Sequence, residues 1–383
     1  MVIVPSSLKK TEIARVAPFA RSYARKSPLR CIVNKVLMQG NQVIAEAAIR
    51  CGCRFYAGYP ITPQNEIGEY MADHMRKIPG GVFIQAESEI SAINMVLGAS
   101  AAGARSMTSS SSPGISLKQE GISFLAADEL PAVIVNIMRG SPGLGNISPS
   151  QGDYFQATRG GGQGDYRTIV LAPASVQELA DLTMDAFDLA DRYRSPVMIL
   201  ADGMMGQMME PVVFKTPPPR QYDESYKMRG KGPGKSKFIR GLILDAIREE
   251  EHNWKLHRKY QVITDREVRY DTYMADDAEI MIVAYGTAAR IAKGAIKRSR
   301  ERGIPVGLIR PITLWPFPTD VIRKYAQQVP NFLVFEMSTG QMIEDVRLAI
   351  EGAADIQFYG RPGGVVPTPA EVAKVIAYQV QKR

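Results

Sequence analysis

From Met38 onward the chain alternates two hydrophobic rhythms. Residues 41–51 (NQVIAEAAIRC) place apolar side chains at helical spacing, with Asn41 as a candidate cap. Residues 54–59 (RFYAGY) read as a short buried strand that Pro60 ends, and 63–75 as a helix. A strand over 82–85, a small-residue helix over 88–102, a polar strand or loop over 107–112 and a helix over 116–127 follow. Residues 131–138 (PAVIVNIM) form the strongest central-strand pattern and run into a glycine-rich loop. A strand over 168–171, a long helix over 175–190 and a strand over 196–201 complete this set.

Residues 210–240 break the rhythm with Thr216-Pro-Pro-Pro-Arg and Met228-Arg-Gly-Lys-Gly-Pro-Gly-Lys-Ser-Lys, as expected of a linker or surface excursion. Residues 241–272 read as a charged helix and a short strand. A second alternating set then gives strands over 279–284, 305–309 and 331–336, with helices over 286–302, 319–328 and 341–351. No 20–50-residue repeat is present. The expected domains are a basic arm over 1–37 outside the fold, a first α/β domain over 38–210, a linker over 211–272 and a smaller α/β domain over 273–383.

Strands separated by helices of this length predict α/β domains built on a doubly wound parallel sheet. Ligands of such sheets sit beyond the carboxyl ends of the strands. The loops after Tyr59, Gln85, Thr108 and Met138 should therefore converge.

Composition narrows the function. Among 383 residues, 45% are hydrophobic and 22% charged, which excludes wholesale disorder. No apolar run approaches the ~18–20 residues that span a bilayer, so no membrane role is expected. The net charge of +8 invites a nucleic-acid reading, but eight basic residues against Glu12 put +7 of it in residues 1–37 and leave +1 for the rest. A nearly neutral body argues against nucleic acid. The arm suits a dispensable extension or a transit peptide, and no apolar stretch follows its charges as a secretory signal requires. Cys31, Cys51 and Cys53 cannot alone supply the four thiolates of an iron–sulfur cluster, and His74, His252 and His257 stand apart, so no metal site is expected in this chain. A reducing compartment, the cytoplasm, is the expected home.

Two nucleotide motifs fail on inspection. Gly230-Lys-Gly-Pro-Gly-Lys-Ser lacks the Walker spacing and follows a proline-rich loop instead of a strand. Gly140-Ser-Pro-Gly-Leu-Gly follows a strand, but Pro142 and Asn146-Ile-Ser-Pro do not open a helix. Four other loops carry candidate chemistry. In Tyr59-Pro-Ile-Thr-Pro, two prolines present Thr62 rigidly. Glu87 and Glu89, two apart at a helix start, do not share a face, so one can meet solvent and the other a site. Thr108-Ser-Ser-Ser-Ser-Pro-Gly offers hydroxyls and main-chain donors. Arg139, beside glycines at a strand end, suits a carboxylate. Each also has a plain structural explanation as a turn, a helix-start acid, a loop or a surface salt bridge.

Taken in order, these segments resemble the alpha subunit of 2-oxoacid:ferredoxin oxidoreductases over residues 38 to about 378. The resemblance is carried by Gly58-Tyr-Pro-Ile-Thr-Pro, Gln85-Ala-Glu-Ser-Glu-Ile, Met107-Thr-Ser-Ser-Ser-Ser-Pro-Gly, Glu120-Gly-Ile, Asn136-Ile-Met-Arg-Gly, Pro149-Ser-Gln-Gly-Asp and Gly162-Gln-Gly-Asp-Tyr. It looks closest to the 2-oxoisovalerate type, with the 2-oxoglutarate type a near relative. It implies a first domain like the pyrimidine-binding domain of thiamine diphosphate enzymes and a second like the transketolase C-terminal domain. It also implies a beta subunit holding the diphosphate and Mg²⁺, a gamma subunit, a ferredoxin-like delta subunit, 4Fe-4S clusters on those partners, coenzyme A as co-substrate and ferredoxin as acceptor. By the same resemblance, Glu89 hydrogen-bonds the aminopyrimidine ring, and Tyr59, Pro60, Ser110 and Ser111 line the cofactor. Thr62 is implied in catalysis and substrate contact, and Arg139 is the candidate for the substrate carboxylate. A non-catalytic scaffold subunit of the same fold is the competing expectation.

Overall fold

The computed structural model describes residues 35–217, 225–228, 230, 238–239 and 241–381. Most of the basic arm, Cys31 and nearly all of the Gly230–Ser236 tract lie outside the described residues. The first part of the chain runs β1 (Val36–Gln39), α1 (Gly40–Arg50), β2 (Phe55–Gly58), α2 (Asn65–Met75), β3 (Val82–Gln85), α3 (Glu89–Ala101), β4 (Ser106–Ser110) and α4 (Ser112–Ala127). It continues through β5 (Ala132–Met138), α5 (Tyr154–Thr158), β6 (Ile169–Leu171), α6 (Val176–Tyr193), β7 (Pro196–Asp202), α7 (Gly203–Gln207) and β8 (Met209–Val212). The second part runs α8 (Ala246–Arg266), β9 (Tyr270–Tyr273), β10 (Ile280–Val283), α9 (Gly286–Arg300), β11 (Val306–Pro311) and β12 (Thr313–Trp315). Helix α10 (Thr319–Ala326), β13 (Asn331–Glu336), α11 (Met342–Ile350), β14 (Asp355–Gly360) and α12 (Pro369–Gln381) end it.

The expected doubly wound fold is present. A seven-stranded sheet has the order β12-β6-β7-β5-β4-β2-β3, parallel except for β12. A five-stranded sheet has the order β14-β13-β10-β11-β9, parallel except for β9. β5 and β7 lie side by side at the centre of the larger sheet, and every residue of both is buried. Their unbroken apolar character follows from helices covering both faces. On one flank, α6 begins at Ser175, whose hydroxyl accepts the Glu178 N–H at 3.1 Å, and ends at Arg194 in the left-handed region with φ 47°.

Three features depart from the sequence expectations. Strand β1 starts at Val36 and pairs antiparallel with β8, so the last residues of the segment read as an arm belong to a strand. Asn41 is not a cap: α1 begins at Gly40, and the buried Asn41 amide instead donates to the Pro63 carbonyl at 2.8 Å and Glu66 Oε2 at 2.7 Å. The proline-rich stretch after Arg310 is not plain loop. Its residues form β12, which crosses to the first sheet and pairs with β6.

The two sheets are therefore joined at several points. Arg310 on β11, only 3% exposed, makes a two-pronged contact with Glu178 at 2.8 and 2.9 Å. Gln151, fully buried, donates from its amide to the Tyr285 carbonyl at 2.9 Å and accepts the Met337 N–H at 3.0 Å. Tyr154 donates to Asp345 at 2.6 Å. The Pro149-Ser-Gln-Gly-Asp motif thus pins the ends of β10 and β13 to the larger sheet.

Gln151→Ala would leave the buried Met337 N–H unpaired, while the Tyr285 carbonyl keeps the Ala289 N–H at 3.1 Å, and should destabilise the chain by about 2 kcal/mol. Urea denaturation should show this as a lower midpoint, with exposed Gln327→Ala unchanged as the control.

Candidate functional site at the carboxyl edge of the larger sheet

Strands β2, β3, β4 and β5 end on one edge, and the predicted site residues gather there. Ser88 starts α3 by accepting the Ser91 N–H at 3.2 Å. That cap turns Glu89 inward to 5% exposure, while Glu87 stays exposed and accepts the Ser91 hydroxyl. The two acids divide between solvent and site as their spacing suggested.

All five residues of β4 are buried, and successive side chains address opposite faces. On the α2 side, Ser109 Oγ lies 2.6 Å from the Tyr56 hydroxyl and donates to Gln64 Oε1 at 2.5 Å. On the α3 side, Ser110 donates to Glu89 Oε1 at 3.4 Å. Among the described residues this long bond is the one that the Glu89 carboxylate accepts. Gly114 makes room for this pair, because a Cβ there would collide with Ser110 Oγ and Glu89 Oε1. The neighbouring Ser111 precedes α4, and its buried hydroxyl has no partner among the described residues.

A second network fixes the loop after β5. Asn136 Oδ1 accepts the Ser112 N–H at 3.2 Å. The Asp153 carboxylate takes the Ser112 hydroxyl at 2.6 Å and the Asn136 amide at 2.9 Å. Burial pushes the Asp153 carboxyl above the usual carboxylate range, and those two donors oppose the rise. Arg139 follows, joined to Pro149 by an isolated bridge. Its Nη1 donates to the Thr62 carbonyl at 2.9 Å and its Nη2 to the Leu144 carbonyl at 3.0 Å. Its Nε has no partner among the described residues. The structure thus brings Arg139 to Thr62 through the main chain, with the Thr62 side chain exposed. No helix follows the Gly140–Gly145 loop until Tyr154, as expected for a loop that is not a dinucleotide fingerprint.

Tyr59 and Pro60 lie elsewhere along the edge. Together with Tyr56, Phe83, Gln64 and Gln85 they line a cleft of about 290 Å³ on the α2 side. Tyr56 and Phe83 stack there with centroids 5.7 Å apart. These two residues are not joined to Glu89 by any hydrogen bond, and they occupy the other side of the β4 serines.

Sequence reasoning missed Lys118 on α4. It is fully buried, and its ammonium donates to the Glu89 main-chain carbonyl at 3.4 Å. Burial pulls it down from 10.5 to about 8, against the attraction of Glu89. The signal was present, since Ile115, Lys118, Ile122 and Leu125 recur at helical spacing on one buried face. Roles for Gly114, Asn136 and Asp153 were also missed, although all three lie in segments that carry the resemblance.

The model of pyruvate flavodoxin/ferredoxin oxidoreductase, thiamine diphosphate-binding, matches residues 46–285. The model of pyruvate:ferredoxin oxidoreductase core domain II matches residues 278–372. The chain belongs to the 2-oxoacid:ferredoxin oxidoreductase family. It is 52% identical over 329 residues to ketoisovalerate oxidoreductase subunit VorB of Methanothermobacter thermautotrophicus, covering 86% of this chain and 93% of that one. It is 39% identical over 364 residues to 2-oxoglutarate synthase subunit KorA of Methanocaldococcus jannaschii, covering 88% and 98%. The structure of 2-oxoglutarate:ferredoxin oxidoreductase from Magnetococcus marinus, with 2-oxoglutarate, coenzyme A and succinyl-CoA bound, superposes with a TM-score of 0.81 at 26% identity. That match covers 90% of this chain and 65% of the solved one.

These relatives are subunits, so this oxidoreductase chain is one component of a multi-subunit enzyme. The residues at the edge fit one face of a polar heteroaromatic ring. The Glu89 carboxylate, which accepts one long hydrogen bond, and the unpartnered Ser111 hydroxyl offer an acceptor and a donor that the described residues do not use up. No described helix of this oxidoreductase subunit is long and apolar enough to cross a membrane. Cys51 and Cys53 are buried and form no disulfide among the described residues, and burial pushes the Cys53 thiol up to about 12.

Lys118 has a measurable cost. Its affinity for protons is lower in the folded chain than in the unfolded one, so folding is penalised below pH 8 and the penalty fades as pH rises toward 10.5. Lys118→Met should therefore raise stability by about 3 kcal/mol near pH 7. Denaturation midpoints followed from pH 7 to pH 10.5 should show the gain shrinking with increasing pH.

Proposed function

We propose that this chain is the pyrimidine-binding alpha subunit of a thiamine diphosphate-dependent 2-oxoisovalerate:ferredoxin oxidoreductase. The overall reaction takes a 2-oxoacid, coenzyme A and two oxidised ferredoxins to the acyl-CoA, CO₂, a proton and two reduced ferredoxins. The observation that carries the reading is Glu89, a buried helix-start carboxylate left with one long hydrogen bond, from Ser110. The 52% identity to a ketoisovalerate oxidoreductase subunit, against 39% to a 2-oxoglutarate synthase subunit, favours the branched-chain substrate. The 2-oxoglutarate reaction is the second reading, supported by the Magnetococcus marinus neighbour.

Bound thiamine diphosphate supplies the nucleophilic carbon that attacks the 2-oxo group and takes up the electron pair released with CO₂. Glu89 holds or yields the proton on the cofactor's aminopyrimidine ring, a task suited to a carboxylate in a dry pocket. Ser110 and Ser111 flank that ring, and Tyr59 and Pro60 close the far end of the edge. Thr62 orients the 2-oxo group. Arg139 is held in place by two carbonyls and keeps its unpaired Nε for the substrate carboxylate. Mg²⁺ and the diphosphate are assigned to a beta subunit, and 4Fe-4S clusters to beta and ferredoxin-like delta subunits. A gamma subunit completes the assembly, and the cytoplasm is the expected compartment.

The complex purified through a tag on this chain should reduce viologen anaerobically with thiamine diphosphate, Mg²⁺ and coenzyme A. The rate should be greatest with 2-oxoisovalerate, below that with 2-oxoglutarate and least with pyruvate. Glu89→Gln should cut the rate by about 10²-fold or more without changing the elution volume of the assembly. Gly114→Ala, which forces Glu89 out of position, should cost about tenfold or more. Undiminished turnover in Glu89→Gln would support a scaffold role instead.

A further inference from the structure

Lys118 is a buried charge that the proposed chemistry does not use. Its ammonium sits under the first turn of α3, where the helix dipole is positive and a cation is disfavoured. It meets the main-chain carbonyl of Glu89 rather than the carboxylate, so the carboxylate stays available to a ring above it. A methionine of similar volume would fill the same space at no electrostatic cost. The other acids near α4 are engaged elsewhere. Asp153 holds Ser112 and Asn136, Asp202 caps α7, and Glu120 faces solvent. Glu89 is the charged group that acts on Lys118 from the packed elements.

We propose that Lys118 is a positioning residue for Glu89: it anchors the glutamate's turn by its carbonyl and, as a positive charge behind the carboxylate, keeps the proton shared between Glu89 and the cofactor ring loosely held. This rests on Glu89 meeting the aminopyrimidine as proposed above. The physical reason is Coulombic. A cation a few ångströms from a coupled acid–base pair lowers the proton affinity of the pair as a whole. The pair can then release its proton at lower pH, which extends the working range of the site to the acid side. The effect is confined to conditions in which Lys118 is charged.

The test uses the assembled complex loaded with thiamine diphosphate and Mg²⁺ but no 2-oxoacid. The readout is exchange of the cofactor's C2 proton for deuterium, followed by acid quench and NMR across pH. Lys118→Met should move the midpoint of the exchange profile upward by on the order of one pH unit. Its alkaline plateau should fall by no more than about tenfold, since the neutral lysine still donates to the Glu89 carbonyl and methionine has no donor for it. Lys118→Arg should keep the parent midpoint. Lys118→Gln provides the same neutral comparison should the methionine variant not assemble. A neutral variant whose profile superposes on the parent, with Glu89→Gln having lost exchange, overturns the role of Lys118 and leaves the Glu89 reading standing. Exchange at the parent rate in Glu89→Gln overturns both.

Discussion

A polar strand in the middle of a sheet has to pair its hydroxyls, and that requirement organises this chain. β4 reads Ser-Met-Thr-Ser-Ser, and every residue of it is buried between two neighbours. An unpaired buried hydroxyl is costly, and three of those in and just past this strand recruit partners from the adjoining segments. Ser109 recruits Tyr56 and Gln64, and with Gln64 comes the turn that carries Thr62. Ser110 recruits Glu89. Ser112, just past the strand, recruits Asn136 and Asp153. The loops after β2, β3 and β5 are thus all tied to the end of β4. Thr108 and Ser111 are the hydroxyls of this segment left without a partner among the described residues.

The second sheet enters the same arrangement from behind. Gln151 lies two residues before Asp153 and Tyr154 directly after it, and their side chains reach Tyr285, Met337 and Asp345. The loop that holds Ser112 through Asp153 is therefore clamped by the smaller domain. Strand β12 adds a covalent route, since it leaves β11 of one sheet and pairs with β6 of the other. A shift of the smaller sheet would be felt at the Arg139 loop through two or three hydrogen bonds. Coupling of this kind needs only contiguous packed groups.

Much of the framework was legible because buried parallel strands leave unbroken apolar runs. The strands β5, β7, β10 and β13 stand out for that reason. β8 and β12 were not legible: Met209–Val212 is short and contains Pro211, Thr313–Trp315 is short and lies between Pro311 and Pro316, and only a partner strand distant in sequence makes them strands. The Glu87/Glu89 division followed from spacing alone. The work of Gln151 did not, because a glutamine in a Ser-Gln-Gly-Asp run carries no local sign that it will cross between sheets. Lys118 was overlooked for the opposite reason. Its position on the apolar face of α4 was readable, but a lone lysine in a helix is ordinarily solvated.

The chain contains its own control for the meaning of Glu89. Glu336 is also a fully buried glutamate facing a helix start. Its carboxylate accepts the N–H groups of Gln341, Met342 and Ile343 at 3.1, 3.0 and 3.0 Å and the Ser338 hydroxyl at 3.0 Å. Burial raises its proton affinity, and those donors oppose the rise. That carboxylate is saturated and holds α11 in place. Glu89 has comparable burial but one long bond, close packing over Gly114 and a desolvated lysine at its back. A structural carboxylate gains by filling its acceptor sites, as Glu336 does. A buried carboxylate with one long bond, beside a lysine that lowers stability, suits the ligand-facing role proposed above for Glu89. A ligand that brings its own donor to Glu89 is the arrangement under which that cost is offset.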